Sequence, residues 1–329
     1  MAQSSKQNIL ITGVAGFVGS NLADKLLTDA RKSPKKDQKT DIDVRIIGID
    51  NLSNGIREQV PASVEFHQAD IRSKDIYPLF EGVDYVFHLG AKTCIKDCQD
   101  DPVEAMEINV AGTANVFESA KRAKVKKVIY AETSALYEDS HLMPTPESDV
   151  NPKSFYAVSK FASMFVAKAY KRFFDIPSTA LRYFNVYGPR QDYRRSIPPV
   201  MSAFIIKLLR GERPIIYGTG HQKRDFVHVD DVNNFHVLCM NDARTDNLTF
   251  NLGSGNNYSV MDIYKMISEL LNKNISPIFM PGIPGEADET LADITEAKRI
   301  GWSPAVNMHE GLLGMIEFIQ KEIKSGRIP

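Results

Sequence analysis

Short apolar runs alternate with helical segments through the first half of the chain. The apolar runs predict buried strands at Ile9–Ile11, Val44–Ile49, Asp84–Leu89, Lys127–Ala131 and Thr179–Phe184. Between them, helical patterns fall at Ser20–Thr28, Val103–Lys121 and Ser154–Phe174. Strands that alternate with helices predict an α/β fold built on a doubly wound parallel sheet.

The pattern changes after Gly188, where proline, glycine and basic residues become frequent. Helices no longer alternate strictly with strands from this point on. We therefore predict a large domain over residues 1–187, with residues 225–256 returning to it. A smaller α/β domain is expected to cover residues 188–224 and 257–329.

Three glycines follow the first strand with the spacing G-x-x-G-x-x-G, namely Gly13, Gly16 and Gly19. At a strand-to-helix turn they let the backbone approach a pyrophosphate, and the helix N-terminus supplies N–H groups and a positive dipole end. Asp50, at the tip of the second strand, is placed to accept hydrogen bonds from ribose hydroxyls and would repel a 2′-phosphate. A turn or cap residue is the alternative for Asp50. Together these residues predict NAD rather than NADP.

Further polar or small residues end the other predicted strands. In a doubly wound sheet, ligands lie at the carboxyl ends of the strands. That edge is expected to carry Asp70, Gly90–Ala91, Thr133 and Asn185 beside the glycine turn.

Tyr156 and Lys160 lie four residues apart in a helical segment, so both side chains project from one face. An ammonium near a phenol stabilises the phenolate, which can then act as a general base. The preceding strand ends at Thr133 and Ser134, whose hydroxyls could reach the same substrate oxygen. This set predicts proton transfer at a substrate hydroxyl.

Composition narrows the possible partners. The 329-residue chain has a net charge of −1, which argues against nucleic acid or an anionic membrane as its main partner. No apolar run approaches membrane-spanning length, and the polar N-terminus lacks a signal-peptide pattern. Cys94, Cys98 and Cys239 have no metal-ligand spacing. We expect a cytoplasmic protein that binds no metal.

Family motifs occur in order along nearly the whole chain. They are TGVAGFVGS (12–20), DNLSNG (50–55), AD (69–70), HLGA (88–91), NVAGTANV (109–116), YAVSK (156–160), LRYFNVYGPRQ (181–191), RDFVHVDDV (224–232), NLGSG (251–255) and LADITEAKRIGW (291–302). With these motifs the chain resembles the extended short-chain dehydrogenase/reductases, in particular the nucleotide-sugar epimerases and dehydratases. The resemblance implies a Rossmann-like NAD-binding domain, a smaller C-terminal α/β domain for a UDP-linked sugar, tightly held NAD and a homodimer.

The resemblance also implies roles for individual residues. Tyr156 would take the proton of the sugar hydroxyl as hydride passes to NAD⁺, while Lys160 binds the nicotinamide ribose and Thr133 shares the proton or orients the hydroxyl. The implied cofactor contacts are Gly13, Gly16, Phe17, Val18, Gly19, Asp50, Asn51, Ser53, Asp70, Ile71, Leu89, Ala91, Asn109, Tyr156, Lys160 and Tyr183. The implied substrate contacts are Cys94, Thr133, Ser134, Asn185, Arg190, Tyr217, Arg224 and Thr290.

The resemblance does not distinguish between epimerisation and dehydration of the sugar. Hydride returned to the opposite face of a 4-keto sugar gives the C4 epimer of a UDP-hexose or UDP-N-acetylhexosamine. Dehydratases and the related decarboxylases carry a glutamate two residues after the catalytic threonine, where this chain has Ala135. We therefore predict a 4-epimerase. A dehydratase of 4,6- or 5,6-type that uses Glu132 or Glu138, and a non-catalytic NAD-binding regulatory protein, are the alternatives.

Some positions depart from the family pattern. Ile283 stands where relatives usually have a phosphate-binding arginine, and Arg190, Arg195 or Arg224 are the candidates to replace it. Cys94 and Cys98 stand where relatives tend to have serines, and we expect them to be small buried residues rather than redox groups. Thr290 is modest in size, so its position does not exclude an N-acetyl group.

Overall fold

The computed structural model describes residues 7–32, 44–138, 140–195, 198–282 and 287–328, which form two compact units. The first unit takes the described residues within Met1–Glu138, Val150–Arg182 and Asn233–Phe250. The second takes those within Asp139–Asp149, Tyr183–Val232 and Asn251–Pro329. In this division the first unit reaches residue 182 and takes up residues 233–250 again. The domain bounds 1–187 and 225–256 stay a prediction.

The strands and helices of the described residues run in the following order. The strands are β1 (Gln7–Thr12), β2 (Val44–Asp50), β3 (Glu65–Gln68), β4 (Tyr85–His88), β5 (Lys127–Thr133), β6 (Ser178–Tyr183), β7 (Asn185–Tyr187), β8 (Ile215–Tyr217), β9 (Lys223–His228), β10 (Thr249–Leu252), β11 (Asn257–Ser259) and β12 (Ile278–Met280). The helices are α1 (Phe17–Lys32), α2 (Ile95–Asp100), α3 (Pro102–Met106), α4 (Thr113–Ala123), α5 (Phe155–Phe174), α6 (Val200–Leu209), α7 (Val229–Asn241), α8 (Val260–Leu270), α9 (Thr295–Arg299) and α10 (Met308–Lys324).

A seven-stranded sheet forms the centre of the first unit, in the order β10-β6-β5-β4-β1-β2-β3. Strand β1 pairs in parallel with β2 and β4, so that Thr12 lies opposite both Ile49 and His88. The apolar residues of β1 are fully buried, as expected for a parallel strand covered on both faces. The predicted doubly wound parallel sheet is confirmed.

Helices pack on this sheet through an apolar core. Phe117 of α4 and Ala167 of α5 share a buried cluster with Val86 of β4 and Tyr130 of β5. Between α3 and α4 the chain makes a π-helical turn over Glu107–Gly112. The single helix predicted over residues 103–121 is therefore interrupted, which the unbroken apolar pattern of that segment does not reveal.

The second unit is a smaller α/β assembly. Its three-stranded sheet has the order β11-β9-β7, and β8 pairs in parallel with β12. Its core combines Tyr187 of β7, Phe204 of α6, Ile263 of α8 and Leu312 of α10. In the part of the chain that the structure describes, each helix is too short or too polar to cross a membrane.

Candidate active site

The glycine turn lies directly between β1 and α1. Gly13 has a φ of +72° and donates its N–H to the carbonyl of Ile49 at 2.8 Å. A Cβ at this position would lie 2.8 Å from the backbone nitrogen of Gly90, and one at Gly19 would lie 2.2 Å from the carbonyl oxygen of Gly13. Neither position has space for a side chain. The turn is therefore packed from backbone against backbone.

Helix α1 begins at Phe17, so the predicted cofactor residues Phe17, Val18 and Gly19 form its first turn. First-turn amides lack intrahelical acceptors, and α1 has no acidic residue there that could compete for them. The open amides and the positive dipole end suit an anion such as a pyrophosphate.

Asp50 ends β2 and is 9% exposed. Its Oδ2 accepts the N–H of Ala15 at 2.9 Å, and its Oδ1 accepts the N–H of Leu52 at 2.8 Å. Burial raises the pKa of the carboxyl, and these two backbone bonds oppose that effect. Asp50 thus joins the glycine turn to the loop after β2. Each carboxylate oxygen keeps a lone pair that can accept a ribose hydroxyl.

The loops after β2 and β3 are joined through Asp70. Asn51 donates to Asp70 Oδ2 at 3.1 Å, and Arg72 contacts both carboxylate oxygens, with Nε 3.0 Å from Oδ1 and Nη2 2.8 Å from Oδ2. The Arg72 guanidinium is the main cause that lowers the pKa of Asp70 to about 2. The predicted contact Ser53 donates its N–H to Asn51 Oδ1 at 3.0 Å. Ile71, the last predicted contact of this group, is buried.

A chain of hydrogen bonds runs behind the glycine turn. Thr12 Oγ1 accepts the N–H of Leu89 at 3.1 Å and lies 2.8 Å from His88 Nδ1. On the other side, His88 Nε2 lies 2.9 Å from Thr113 Oγ1, whose own proton is donated to the carbonyl of Asn109 at 2.6 Å. Because the Thr113 proton is already used, we assign the ring proton to Nε2, and Nδ1 then accepts from Thr12. His88 is therefore a neutral imidazole.

Asn109 lies in the π-helical turn and is buried. Its Oδ1 accepts the N–H of Lys92 at 2.8 Å, while Nδ2 donates to the Lys92 carbonyl at 3.0 Å and to Ser159 Oγ at 2.9 Å. Ser159 in turn donates to the carbonyl of Tyr156 at 2.8 Å. The Asn109 amide therefore joins the loop after β4 to the helix that carries Tyr156. Cofactor contact by Asn109, as by Leu89 and Ala91 on that loop, stays a prediction.

The predicted catalytic residues Thr133, Tyr156 and Lys160 all belong to the first unit. Thr133 ends β5, and its Oγ1 accepts the N–H of Ala135 at 3.1 Å. Helix α5 begins after the capping residue Ser154, which places half-buried Tyr156 in the first turn. Lys160, one turn later, is only 4% exposed. Burial lowers the pKa of Lys160 to about 8, an effect that the charge of Glu132 opposes.

Two glutamates flank Thr133 in the sequence, and both are engaged. Glu132 is fully buried at its side chain, and its Oε2 accepts from Nε of Arg182 at 2.8 Å. Glu138 accepts the backbone N–H groups of Lys153 and of Ser154, the latter at 2.7 Å. The first carboxylate pairs with a buried guanidinium and the second holds the chain that enters α5.

The cysteines of this region differ from one another. Cys98 is fully buried, and its Sγ lies 3.7 Å from the carbonyl of Lys92. Burial raises the pKa of this thiol to about 11, so it stays protonated at neutral pH. Cys94 precedes α2 and is only half-buried, contrary to the expectation that both would be buried.

The remaining predicted substrate residues lie in the second unit, apart from half-buried Ser134. Three of them surround Asp225 on β9: Asn185 donates to its carbonyl at 3.0 Å, Thr290 Oγ1 accepts its N–H at 3.3 Å, and Arg224 precedes it. The Asp225 carboxylate accepts the backbone N–H groups of Ser254, Gly255 and Ala292. Asp225 thus holds the segments that carry these side chains.

Other predicted residues of this unit are more dispersed. Arg190 is half-buried and has a φ of +70°. Tyr217 lies at the end of β8 and is 38% exposed. Tyr183, a predicted cofactor contact, ends β6. Arg195, a candidate to replace the missing arginine, lies 3.2 Å from Asp192 Oδ2. Ile283 lies outside the described residues.

Sequence reasoning missed several residues that support the site. Thr12, Thr113 and Ser159 act through hydrogen bonds to residues distant in the sequence, and Arg72 acts through Asp70. Three of them lie within or beside the quoted motifs, which was an available signal. Arg72 lies outside the motifs, two residues after the AD motif, and the sequence gives no comparable signal for it.

A doubly wound parallel sheet with a tight glycine turn at its carboxyl edge and a Tyr–Lys pair on a later helix defines a dinucleotide-binding enzyme of the short-chain dehydrogenase/reductase class. The chain belongs to the NAD dependent epimerase/dehydratase family, whose model matches residues 9–253. NAD is its cofactor, and the backbone-lined turn at Gly13 and Gly19 fits that group because a side chain at either position would collide with the backbone that forms the turn.

Individual relatives span nearly the whole chain. A putative UDP-glucose 4-epimerase of Methanocaldococcus jannaschii is 33% identical over 95% of this chain and 98% of its own length. The crystal structure of UDP-glucose 4-epimerase from Thermotoga maritima with UDP-glucose has a TM-score of 0.89 at 32% identity, covering 96% of this chain and 100% of that one. A UDP-glucuronic acid decarboxylase of Xenopus tropicalis is 28% identical over 98% of this chain and 75% of its own length. The proteins similar to this chain therefore catalyse more than one reaction, and similarity alone does not identify the reaction of this chain.

Proposed function

We propose that this protein is a UDP-sugar 4-epimerase acting on a UDP-hexose or a UDP-N-acetylhexosamine. The observation that carries the proposal is the engagement of the two carboxylates nearest to Thr133. Glu132 is paired with Arg182, and Glu138 accepts two backbone N–H groups. With Ala135 in the position of the family's glutamate, neither is available as the acid that a dehydratase needs at C6.

The proposed chemistry at the sugar uses three side chains. Bound NAD supplies the acceptor and donor of hydride at C4. Tyr156 takes the proton of the C4 hydroxyl and gives it back, and the buried ammonium of Lys160 stabilises the phenolate form. Thr133 accepts the N–H of Ala135, so its own proton is directed away from that amide and can be donated to the sugar oxygen.

The diphosphate would be held by the second unit. A guanidinium can contact phosphate with two parallel hydrogen bonds, which suits Arg224 and Arg190 to this role. Asn185 and Thr290 are fixed beside Arg224 through Asp225, and the modest size of Thr290 does not exclude an N-acetyl group. Tyr217, Cys94 and Ser134 complete the proposed substrate contacts.

The test is a product analysis with matched tyrosine variants. The protein is incubated with UDP-glucose, UDP-N-acetylglucosamine and UDP-glucuronate, and products are identified by mass spectrometry and NMR. We expect a C4 epimer of at least one substrate, and a loss of at least about 100-fold in rate for Tyr156→Phe because the general base is removed. Tyr170→Phe makes the same change on the same helix, at a hydroxyl 3.2 Å from Glu118, and should stay near the wild-type rate.

Three outcomes would contradict this proposal. A product lacking water, with solvent deuterium incorporated at C5, would identify a dehydratase. A Tyr156→Phe variant with the same turnover as an active wild type would rule out Tyr156 as the base. No turnover in either protein would favour a non-catalytic role for the fold.

A homodimer is proposed on the same family resemblance. On α5, Phe165 is 57% exposed and Val158 is 39% exposed, and on α3 Val103 is 69% exposed. Exposed apolar side chains on neighbouring helices support association with a second copy. Sedimentation equilibrium showing only monomer at micromolar concentration would contradict it.

A further inference from the structure

Lys160 is a buried cation, and the groups around it determine whether it keeps its proton. We infer that Glu132 is a positioning residue that holds Lys160 in its charged form and thereby sets the upper pH limit of catalysis. This inference rests on the proposed function, in which the Lys160 ammonium supports Tyr156.

The strand pattern directs Glu132 toward α5. Side chains of a strand alternate between its two faces, so Glu132 and Tyr130 of β5 point to the same side. Tyr130 lies in the buried cluster that includes Ala167 of α5. The Glu132 carboxylate therefore lies between the sheet and the helix that carries Lys160. Burial is the main cause that raises the pKa of Tyr130, and the Glu132 charge adds to it, whereas at Lys160 the same charge opposes the lowering of the pKa by burial.

The titratable groups that act on Lys160 include His88 of β4, Cys98 of α2 and Glu132 of β5, beside Tyr156 one turn earlier on the same helix. Burial, with the charge of Lys160, lowers the pKa of His88 to about 3, so this ring is neutral. Burial raises the pKa of the Cys98 thiol to about 11, so it is neutral as well. Glu132, which forms an ion pair with the Arg182 guanidinium, is thus the member of this set that brings a charge.

The Glu132–Arg182 pair uses only part of the carboxylate. Nε of Arg182 contacts Oε2 at 2.8 Å, while Nη1 of Arg182 donates to the hydroxyl of Tyr137 at 2.9 Å rather than to Glu132. Oε1 is buried and has no hydrogen-bond partner within the described part of the chain. Arg182 Nε and the Tyr130 hydroxyl are the hydrogen-bond neighbours of this carboxylate, which lies on the face of β5 toward α5.

Burial and the Glu132 charge have opposite effects on the pKa of Lys160. Burial disfavours the ammonium of Lys160, and the Glu132 charge favours it. With glutamine at position 132, the first effect remains and the second is lost, so the lysine releases its proton at lower pH. A neutral amine no longer stabilises the Tyr156 phenolate, and activity is lost from the alkaline side. We expect the pKa of Lys160 to fall by about one to two pH units.

The experiment measures Lys160 directly and then through catalysis. In protein with ¹³C-labelled lysine, the Lys160 Cε signal is assigned by its absence in Lys160→Met and titrated in wild type and in Glu132→Gln. We expect a lower lysine pKa in Glu132→Gln, and a kcat about tenfold below wild type at pH 9 but little changed at pH 6, as a one-unit shift requires. Glu132→Asp keeps the charge and should restore most of both values. Glu138→Gln makes the same substitution at a nearby carboxylate and should leave the pKa of Lys160 unchanged.

Each result has a separate meaning. A Lys160 pKa equal in wild type and Glu132→Gln would overturn the inference, as would equal shifts in Glu132→Gln and Glu132→Asp. A wild-type enzyme that epimerises no UDP-sugar would refute the proposed function, while the lysine titration would still decide the role of the Glu132 charge. If Glu132→Gln does not fold, the double variant Glu132→Gln/Arg182→Gln removes the unpaired guanidinium and permits the same comparison.

Discussion

Replacing Gly13 by alanine tests whether the glycine turn needs close backbone approach or only a left-handed conformation. Gly82 provides a matched control because its φ of +71° equals that of Gly13 within a degree, while a Cβ there would meet nothing within 4 Å. Both alanine variants bear the cost of a left-handed non-glycine residue, about 1–2 kcal/mol. At Gly13 the new Cβ also lies 2.8–2.9 Å from backbone atoms of Leu89 and Gly90, and such overpacking costs roughly 1–3 kcal/mol more.

We therefore expect Gly82→Ala to lose about 1–2 kcal/mol of unfolding free energy and Gly13→Ala to lose about 2–5 kcal/mol. The measurement is urea denaturation of both variants and of wild type at one pH, together with NAD affinity by calorimetry. Gly13→Ala should weaken NAD binding tenfold or more, since the turn and the loop after β4 must separate, whereas Gly82→Ala should bind NAD normally. Equal losses of stability with equal NAD affinities would refute the reasoning.

Two further predictions concern Asp50 and His88. In Asp50→Asn the amide NH₂ must face the N–H of Ala15 or of Leu52. We therefore expect a loss of about 1–3 kcal/mol in the free energy of unfolding, measured by denaturation, and a weaker NAD affinity, measured by calorimetry. An unchanged NAD affinity would contradict the ribose contact. The pKa of His88 is lowered to about 3 in the fold from an ordinary 6.5, so its contribution to stability is complete above pH 6.5 and declines as pH falls toward 3. Between pH 6.5 and 4.5 the unfolding free energy should fall more steeply in wild type than in His88→Gln, by up to about 1.4 kcal/mol per pH unit, and parallel curves would show that His88 takes no part.

The centre of the sheet could be predicted from the sequence because strands such as β1 and β2 are buried on both faces and therefore contain continuous apolar runs. Ile9–Ile11 lies inside β1, and the run at Val44–Ile49 differs from β2 by one residue. The glycine turn and Asp50 could also be predicted from the sequence, because they directly follow or end a buried strand and their position depends only on neighbouring residues. The sequence predicts the start of α1 three residues late because Phe17, Val18 and Gly19, which belong to the glycine motif, are already helical.

The supporting hydrogen bonds could not be predicted because they join distant parts of the chain. Thr12 and His88 are 76 residues apart, and Asn109 and Ser159 are 50 apart. The π-helical turn was missed as well, because its apolar spacing resembles that of an ordinary helix. Such a turn frees backbone carbonyls from the regular helical ladder. Here the carbonyl of Asn109 accepts hydroxyl protons from Thr113 and Ser163.

The division of the chain has a consequence for how such an enzyme can acquire new substrates. Each unit is assembled from three separate stretches of polypeptide, so no single crossover between two genes can exchange one unit whole. The segments around Asp225 are instead held by backbone N–H groups, which almost any residue can supply. Side chains on those segments can therefore be substituted one at a time while the framework stays in place. Change by single residues, rather than by exchange of modules, is the route that this connectivity leaves open.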